Sequence, residues 1–301
     1  MHRMRKGFDE FMGGRTLQVA ALSAVLAGTI PGTLLAQTHK EYRFNVGPRA
    51  GLSVNNPYGS VSVRPSTGNV IVINAVLFSD KVEVDNALVG NRVEVVSHLL
   101  PGSDAQSGRI DYEILAPADA SVTLHSSSGT LHAEKLQGDV SMEGAGATVD
   151  VRDVTSAHVR VKTLNGPVTL TNVQDGHIEV DSLTGKVVLR SVNGPFVQVV
   201  STSGEISYIG DFGDHGDYRF TSHSGNIEAV VPDSTSADVT VRSVRGEVHD
   251  DIHLQPKQHS SIPTIKEGVA FVGTMGRAAV SSTVVLRSFS GKIHLRKRAA
   301  E

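Results

Sequence analysis

Beyond residue 120 the chain repeats a short unit, and this repeat limits the fold more than any other feature. Each unit reads roughly Ser/Thr-x-Ser/Asn-Gly-x-apolar-x-apolar, and its last two apolar positions are named strand A here. A second alternating pair, named strand B, stands nine residues before each strand A pair. The strand A pairs are Leu131/Ala133, Val149/Val151, Val168/Leu170, Val187/Leu189, Ile206/Tyr208, Ile227/Ala229, Val248/Asp250 and Ile293/Leu295. The strand B pairs are Val122/Leu124, Val140/Met142, Val159/Val161, Ile178/Val180, Val197/Val199, Tyr218/Phe220, Val239/Val241 and Val284/Leu286.

This spacing predicts coils stacked on one another. Alternation with period two indicates a strand with one buried face. Strand A recurs first after 18 residues, then after 19 and finally after 21, so each rung holds two strands and two turns. Stacked rungs give two parallel sheets whose inner faces meet, and such coils are right-handed. We therefore predict an all-β, right-handed parallel β-solenoid with about two strands per 19–21-residue rung.

Three further columns of residues support this register. Glycine stands two residues before most strand A pairs, where we expect it to turn a corner with positive φ; Ala147 replaces it in the second rung, so that corner should differ. Ser or Thr stands five residues before strand A, except at Gly144, and these hydroxyls should bond to turn backbone. In the outward column after strand B, Arg242 and Arg287 should repel each other unless residues 251–282 separate their rungs.

The N-terminal segment has the order of a secretory leader. Arg3, Arg5, Lys6 and Arg15 precede an apolar stretch from Thr16 to Ala36. This order predicts a signal peptide over 1–36 with cleavage after Ala36. A retained membrane anchor and a buried helix remain alternatives. No other segment is long enough to cross a bilayer, so we expect no membrane span in the mature chain and an extracytoplasmic location: periplasmic, cell-surface or secreted.

The remaining chain divides into a cap and a solenoid. Residues 37–117 are expected to form a β-rich N-terminal cap continuous with the solenoid, with Arg109 to Leu115 as its last strand. Residues 118–298 are expected to be the solenoid repeats. An insertion at 251–282 is either a partner-contact loop or an end cap. Charges at 296–298 on the last strand would discourage end-to-end pairing.

Composition excludes several classes of function. The chain carries 28 Lys+Arg against 31 Asp+Glu, so it lacks the basic balance of a nucleic-acid binder. It contains no Cys, which rules out disulfides, thiol catalysis and Cys-ligated metals. It also contains no Trp, and broad stacking platforms for sugars or bases are not expected.

Two short segments are candidate metal sites. His249, Asp250, Asp251 and His253, with His294 in the same column, have the ligand types of zinc, but their spacing matches no established signature. Asp211 to Asp217 places Asp at every third position without the order of a calcium loop, and a plain turn explains it. We therefore assign no catalytic, cofactor-binding or metal residues and expect no cofactor.

The sequence also resembles a known family. The lead-in Tyr112 to Pro117, then Val122 to Gly129 (VTLHSSSG) and the serial Ser-x-Ser-Gly-x-Ile units are similar to the bacterial "putative adhesin" family, a β-strand-repeat domain of unknown function. The resemblance covers about residues 40–295 and implies an exported, non-catalytic surface or periplasmic module for recognition or structure. Its partner would be an envelope or surface protein or a glycan. An envelope-associated regulatory or structural partner protein is one alternative. A carbohydrate-active β-helix enzyme is the other, although no carboxylate cluster in the sequence supports it.

Overall fold

The structure is a computed structural model that describes residues 37–252, 254–256, 269–276 and 282–298. All regular secondary structure in these residues is β-strand. The predicted signal peptide at 1–36 and the predicted ligand His253 lie outside these residues. None of the described residues belongs to a helix that could cross a membrane. The strands are β1 (Thr38–Asn45), β2 (Gly51–Asn55), β3 (Val61–Pro65), β4 (Val70–Leu77), β5 (Val82–Val89), β6 (Arg92–Leu99), β7 (Ile110–Ala116), β8 (Ser121–Ser126), β9 (Thr130–Glu134), β10 (Val140–Gly144), β11 (Thr148–Thr155), β12 (His158–Thr163), β13 (Val168–Gln174), β14 (His177–Ser182), β15 (Val187–Val192), β16 (Phe196–Ser201), β17 (Ile206–Ile209), β18 (Asp217–Ser222), β19 (Ile227–Val231), β20 (Ala237–Ser243), β21 (Val248–Asp250), β22 (Gln255–Pro256), β23 (Val269–Met275), β24 (Ser282–Ser288) and β25 (Ile293–Lys297).

These strands form two sheets. Sheet A has the order β1, β4, β7, β3, β9, β11, β13, β15, β17, β19, β25, β21. Sheet B has the order β22, β23, β20, β24, β18, β16, β14, β12, β10, β8, β2, β6, β5. A rung is one strand of sheet B followed by the next strand of sheet A, such as β8 and β9. From β8 to β19 every neighbouring pair within a sheet is parallel.

The predicted register is confirmed. Val122, Val140 and Val159 are paired across three neighbouring strands of sheet B, and Leu131 and Val149 are paired in sheet A. All strand A and strand B side chains from Val122 to Phe220 are buried. Each buried apolar side chain of this size stabilises the fold by about 1.5–3 kcal/mol, so the stacked inner faces supply the hydrophobic core. The β-solenoid is thus confirmed, and its right-handed sense stays a prediction.

At both ends of the solenoid, two rungs stack in the reverse of their order in the sequence. At the N-terminal end, rung β2/β3 lies between rung β6/β7 and rung β8/β9. Antiparallel strands complete this end: β5 pairs with β6, β4 with β7 and β1 with β4. Val70 and Val72, nine residues after Val61 and Val63, consequently lie in the same sheet as those residues rather than in the opposite one.

The C-terminal end shows the same exchange. Rung β24/β25 lies between rung β18/β19 and rung β20/β21. The expectation that Arg296 to Arg298 protect the final edge is therefore wrong, because β25 is an inner strand. Arg296 instead pairs with Glu228 at 2.8 Å, and Lys297 pairs with Asp233 at 3.0 Å. The outer edge of β20 is covered by antiparallel β23, which in turn pairs with β22.

One buried hydroxyl favours this exchange. The hydroxyl of Ser282, the first residue of β24, accepts a hydrogen bond from the Gly216 N–H at 2.8 Å and donates to the Gly213 carbonyl at 2.8 Å. Ala237 holds the equivalent position of β20 and has no group to satisfy these buried polar atoms. Leaving them unpaired would cost about 1–3 kcal/mol, so β24 is the better neighbour for β18.

The hydroxyl and glycine columns work together at most corners. The Ser/Thr column is buried, and Ser182 Oγ donates to the Gly185 carbonyl at 2.8 Å. The expectation of positive φ is wrong for most of the glycines that follow. In this column only Gly129 has it (φ 97°). The other column glycines are required because rungs stack closely: a Cβ on Gly185 would stand 2.0 Å from the Gly166 carbonyl oxygen.

In the second rung the larger and the smaller residue of the two columns change places. Gly144 has no side chain where other rungs carry a hydroxyl, and Ala147 has a methyl group where they carry glycine. A Cβ on Gly144 would stand 3.2 Å from the Ala147 Cβ. The Ala147 methyl therefore occupies the space that a Ser side chain fills elsewhere.

Larger aromatic side chains explain the longer step from Ile206 to Ile227. Tyr208, Phe212, Tyr218 and Phe220 are fully buried, and the Tyr208 and Phe212 rings stack with centroids 4.8 Å apart. The additional turn residues enclose Phe212, and the Tyr208 hydroxyl donates to the Asp211 carbonyl at 2.6 Å. Burial raises the pKa of Tyr208 well above its usual range and raises the pKa of Tyr218 to about 12.

Candidate functional site

The outward surface of sheet B carries a groove near the C-terminal end of the solenoid. Parallel pairing aligns Val200, Thr221, Arg287 and Arg242 in one column, since β16, β18, β24 and β20 are consecutive neighbours. The cavity along this column has a volume of about 450 Å³. We name it the arginine groove, and it is lined by Val200, Ser201, Thr202, Thr221, Ser222, His223, Arg242, Val244, Arg287, Ser288 and Phe289.

The corner beside the groove is mainly apolar. The side chain of Val200 is 39% exposed. The rings of His223 and Phe289 stack with centroids 4.9 Å apart and an angle of 6° between their planes. The guanidinium carbon of Arg245 lies 5.1 Å from the centre of the Phe289 ring. Together with Val244 these groups offer flat apolar surface beside cationic side chains.

The charges of the groove are not balanced within the described part of the chain. Arg242 and Arg287 are directly paired on adjacent strands, and neither forms an ion pair with a carboxylate of the described residues. The condition that residues 251–282 separate their rungs is not met. Like charges in this position destabilise a sheet. The pair therefore favours an external anion.

A second groove adjoins the first. It has a volume of about 440 Å³ and is lined by His215, Gly216, Asp217, Arg219, Thr283, Val285 and Arg287. Arg219 is neutralised by Asp217 at 2.6 Å. Arg287 lines both grooves, so a positive charge without an ion pair among the described residues lies where they meet.

The histidines predicted to share a column do so, but their carboxylate partners are separate. His249 and His294 are paired on β21 and β25, and their ring centroids are 6.0 Å apart. His249 Nε2 lies 3.1 Å from Glu247 Oε2, and His294 Nε2 lies 2.7 Å from Asp251 Oδ2. The hydrogen bond from His249, followed by the charge of Lys292, lowers the pKa of Glu247. The arrangement is two separate histidine–carboxylate contacts.

Asp250 is the remaining described residue of this candidate metal site, and its carboxylate binds backbone N–H groups. One carboxylate oxygen accepts the Ile252 N–H at 3.0 Å, and the other accepts the Leu254 N–H at 2.9 Å. These bonds form the turn into β22, so the side chain that breaks the apolar pattern of strand A has a structural role.

The Asp-rich turn is also structural. Asp211 Oδ1 accepts a hydrogen bond from the Thr235 hydroxyl at 3.0 Å, while Asp217 pairs with Arg219. The two carboxylates thus hold different partners, and the turn between them encloses Phe212. In the insertion, the described strands β22 and β23 cover the edge of β20, which is the arrangement expected of an end cap.

Neither the arginine groove nor a histidine pair on β12 and β14 was predicted from the sequence. Arg242 and Arg287 are 45 residues apart in the chain. The sequence placed them in one column, and the exchanged rung order determines that Arg287, rather than Arg242, lies beside Thr221 of β18. His158 and His177 are one rung apart, and the 19-residue period contains that signal. Column alignment of outward residues would have found the second pair.

The chain is similar to a family model and to solved structures. The family model described as Toastrack DUF4097 matches residues 60–270. A solved structure of a "putative adhesin" from Bacteroides fragilis NCTC 9343 is 11% identical, covers 88% of this chain and 100% of its own, and has a TM-score of 0.46. A "putative cell adhesion protein" from Clostridium sporogenes ATCC 15579 is 11% identical, covers 87% of this chain and 100% of its own, and has a TM-score of 0.29. No curated protein matches the chain.

Proposed function

Because the chain belongs to the Toastrack DUF4097 family, a β-strand-repeat family of unknown function as the sequence predicted, we propose that it is an adhesin-like recognition module. It works outside the cytoplasm, after removal of residues 1–36, and without catalysis. The observation that carries the proposal is the unbalanced pair Arg242 and Arg287 beside an apolar surface. Such a site binds a partner through apolar contacts and through attraction between the arginines and an anionic group.

The chemistry of the groove favours a protein partner. Two guanidinium groups on adjacent strands suit one or two carboxylates, since Arg forms strong charge-assisted hydrogen bonds with them. Val200, Val244 and the Phe289 ring suit aliphatic side chains of the same partner. A polysaccharide would offer carboxylates but little aliphatic surface. We therefore propose an extended, acidic and aliphatic segment of an envelope or surface protein as the ligand.

Labelled peptides test this proposal. Fluorescence anisotropy would compare a peptide that alternates Glu with Val or Leu, the same peptide with Lys in place of Glu, and a Glu/Ser peptide. We expect only the first to bind well. R242Q and R287Q should each weaken its binding roughly tenfold, since a hydrogen bond to a charged group contributes about 1.5–3 kcal/mol.

The control is R190Q. Arg190 is an exposed arginine on sheet A, so its loss changes net charge equally but leaves the groove intact. Equal binding of the Lys peptide, or equal loss in R190Q and R242Q, would contradict the proposal. Tighter binding of an acidic polysaccharide such as polygalacturonate than of the Glu/Val peptide would identify a glycan ligand instead.

A further inference from the structure

Two histidines and a glutamate come together on the outward surface of sheet B, away from the arginine groove. His158 on β12 and His177 on β14 are directly paired, and Glu179 follows two residues after His177 on the same side of the strand. Each residue offers a ligand atom, and these atoms all lie within 4.8 Å of one another. Both histidines are exposed, and Glu179 is half-buried.

We propose that His158, His177 and Glu179 bind a divalent transition-metal ion of the zinc class. Imidazole nitrogen and carboxylate oxygen are ligands that zinc prefers, at about 2.0–2.2 Å. Two ligand atoms of a tetrahedral site then lie roughly 3.4 Å apart. His177 Nε2 already lies 3.3 Å from Glu179 Oε1, and His158 needs only a rotation of an exposed side chain to complete the set. Solvent water takes the fourth position.

The surroundings hold the ligands in place. The His177 ring stacks on Phe196 with centroids 4.7 Å apart, and the His158 ring meets His177 edge-on at 4.7 Å. Asp139 Oδ1 accepts the backbone N–H of His158 at 3.0 Å. Both strands are inner strands of sheet B, so strand pairing holds the backbones of the two histidines about 4.8 Å apart. Metal binding therefore requires little ordering of the chain.

Arg160 gives the site a distinctive property. Its Nε lies 3.6 Å from Glu179 Oε2, while Glu179 Oε1 faces His177. The arginine orients the carboxylate, as outer groups around metal ligands do, but its positive charge opposes a bound cation. Removal of this charge should therefore strengthen metal binding. If Arg160 and Glu179 served only to stabilise the fold, removal of the charge would leave zinc affinity unchanged.

Isothermal titration of the untagged, EDTA-treated protein with zinc chloride tests the site. We expect one zinc ion per chain in the tightest class. H158A and H177A should each weaken binding at least about tenfold, and R160Q should strengthen it several-fold. Zinc should also raise the melting temperature of the wild type but not of H177A, because a ligand that binds only the folded state stabilises it.

The matched control is H294A. His294 and His249 are also histidines on adjacent strands, His249 exposed and His294 half-buried, but their ring centroids are 6.0 Å apart. H294A should bind zinc like the wild type. Failure of the wild type to take up zinc at concentrations up to about 100 μM, a range that covers a Kd near 1 μM, would overturn the proposal. So would loss of binding in H294A with retention in H177A. The metal site does not depend on the proposed peptide binding, and each can fail alone.

Discussion

Arg242 and Arg287 occupy directly paired positions on the adjacent parallel strands β20 and β24, and neither guanidinium has an ion pair among the described residues. Their repulsion is a cost to the free protein that an anionic ligand would remove. The groove thus combines unfavourable electrostatics in the unbound state with favourable electrostatics in the bound state. Stability and binding should therefore respond in opposite directions to the same substitution.

R242Q is expected to stabilise the protein while it weakens binding of the acidic peptide. Like charges on paired sheet positions cost about 0.2–1 kcal/mol, and the free energy of unfolding should rise by that amount in low salt. Added sodium chloride should stabilise the wild type more than R242Q, because salt screens exposed charges. Urea unfolding at low and high salt measures both effects. A less stable R242Q, with R190Q unchanged, would show that the Arg242 side chain contributes packing instead.

G185A is expected to destabilise the solenoid by about 2–3 kcal/mol, in the upper part of the usual range for overpacking. The added methyl group would meet the Gly166 carbonyl oxygen at 2.0 Å, and backbone cannot move aside without separating two rungs. The control is G146A, whose methyl group would first meet the side chain of Asn165 at 3.2 Å. Thermal unfolding should show a large decrease in melting temperature for G185A and a small one for G146A. Equal changes would contradict close stacking as the reason for the glycine column.

Ser182 and Ser201 occupy the same column and should respond differently to alanine. Ser182 Oγ donates to the Gly185 carbonyl, so S182A should cost about 1 kcal/mol. Ser201 Oγ is buried, and no partner for it is found among the described residues. S201A should accordingly leave stability unchanged or increase it. Chemical denaturation of both variants decides the comparison, and an equal loss in S201A would reveal a bonding partner for its hydroxyl.

The interior of the solenoid could be predicted from the sequence because alternation states which side chains face inward. Val159 and Val161 follow Val140 and Met142 by one 19-residue period, and pairing at that offset buries all four. The pattern depends on local strand geometry and on burial, and the alternation of apolar and polar residues along the sequence shows both.

The order of rungs could not be predicted in this way. Val239/Val241 on β20 and Val284/Leu286 on β24 have equivalent apolar patterns, so either strand could lie beside β18. The structure distinguishes them by the Ser282 hydroxyl, which bonds to the turn at Gly213 and Gly216. Such a tertiary hydrogen bond leaves no periodic signal. The pairing of Arg242 with Arg287 follows from their shared column, but the position of Arg287 beside Thr221 depends on this rung order.

High pH is expected to unfold the protein through its buried tyrosines. Burial raises the pKa of Tyr218 to about 12 and holds that of Tyr208 well above its usual range, whereas an unfolded tyrosine has a pKa near 10. Below about pH 10 both states keep the phenol proton, and the two groups leave stability unchanged. Above it the unfolded state releases protons that the folded state retains, so the free energy of unfolding falls as the pH rises towards about 12.

Y218F isolates one of these contributions. Among the described residues the Tyr218 hydroxyl has one hydrogen bond, which it accepts from the Gly194 N–H at the long distance of 3.4 Å. The variant should therefore match the wild type near neutral pH and lose less stability at alkaline pH. Urea unfolding at several alkaline pH values, with tyrosinate absorbance in parallel, measures both. Because the phenols are buried, tyrosinate from Tyr208 and Tyr218 should appear only as the protein unfolds. A gradual rise in tyrosinate absorbance from all five tyrosines while the fold remains intact would contradict a dry aromatic interior.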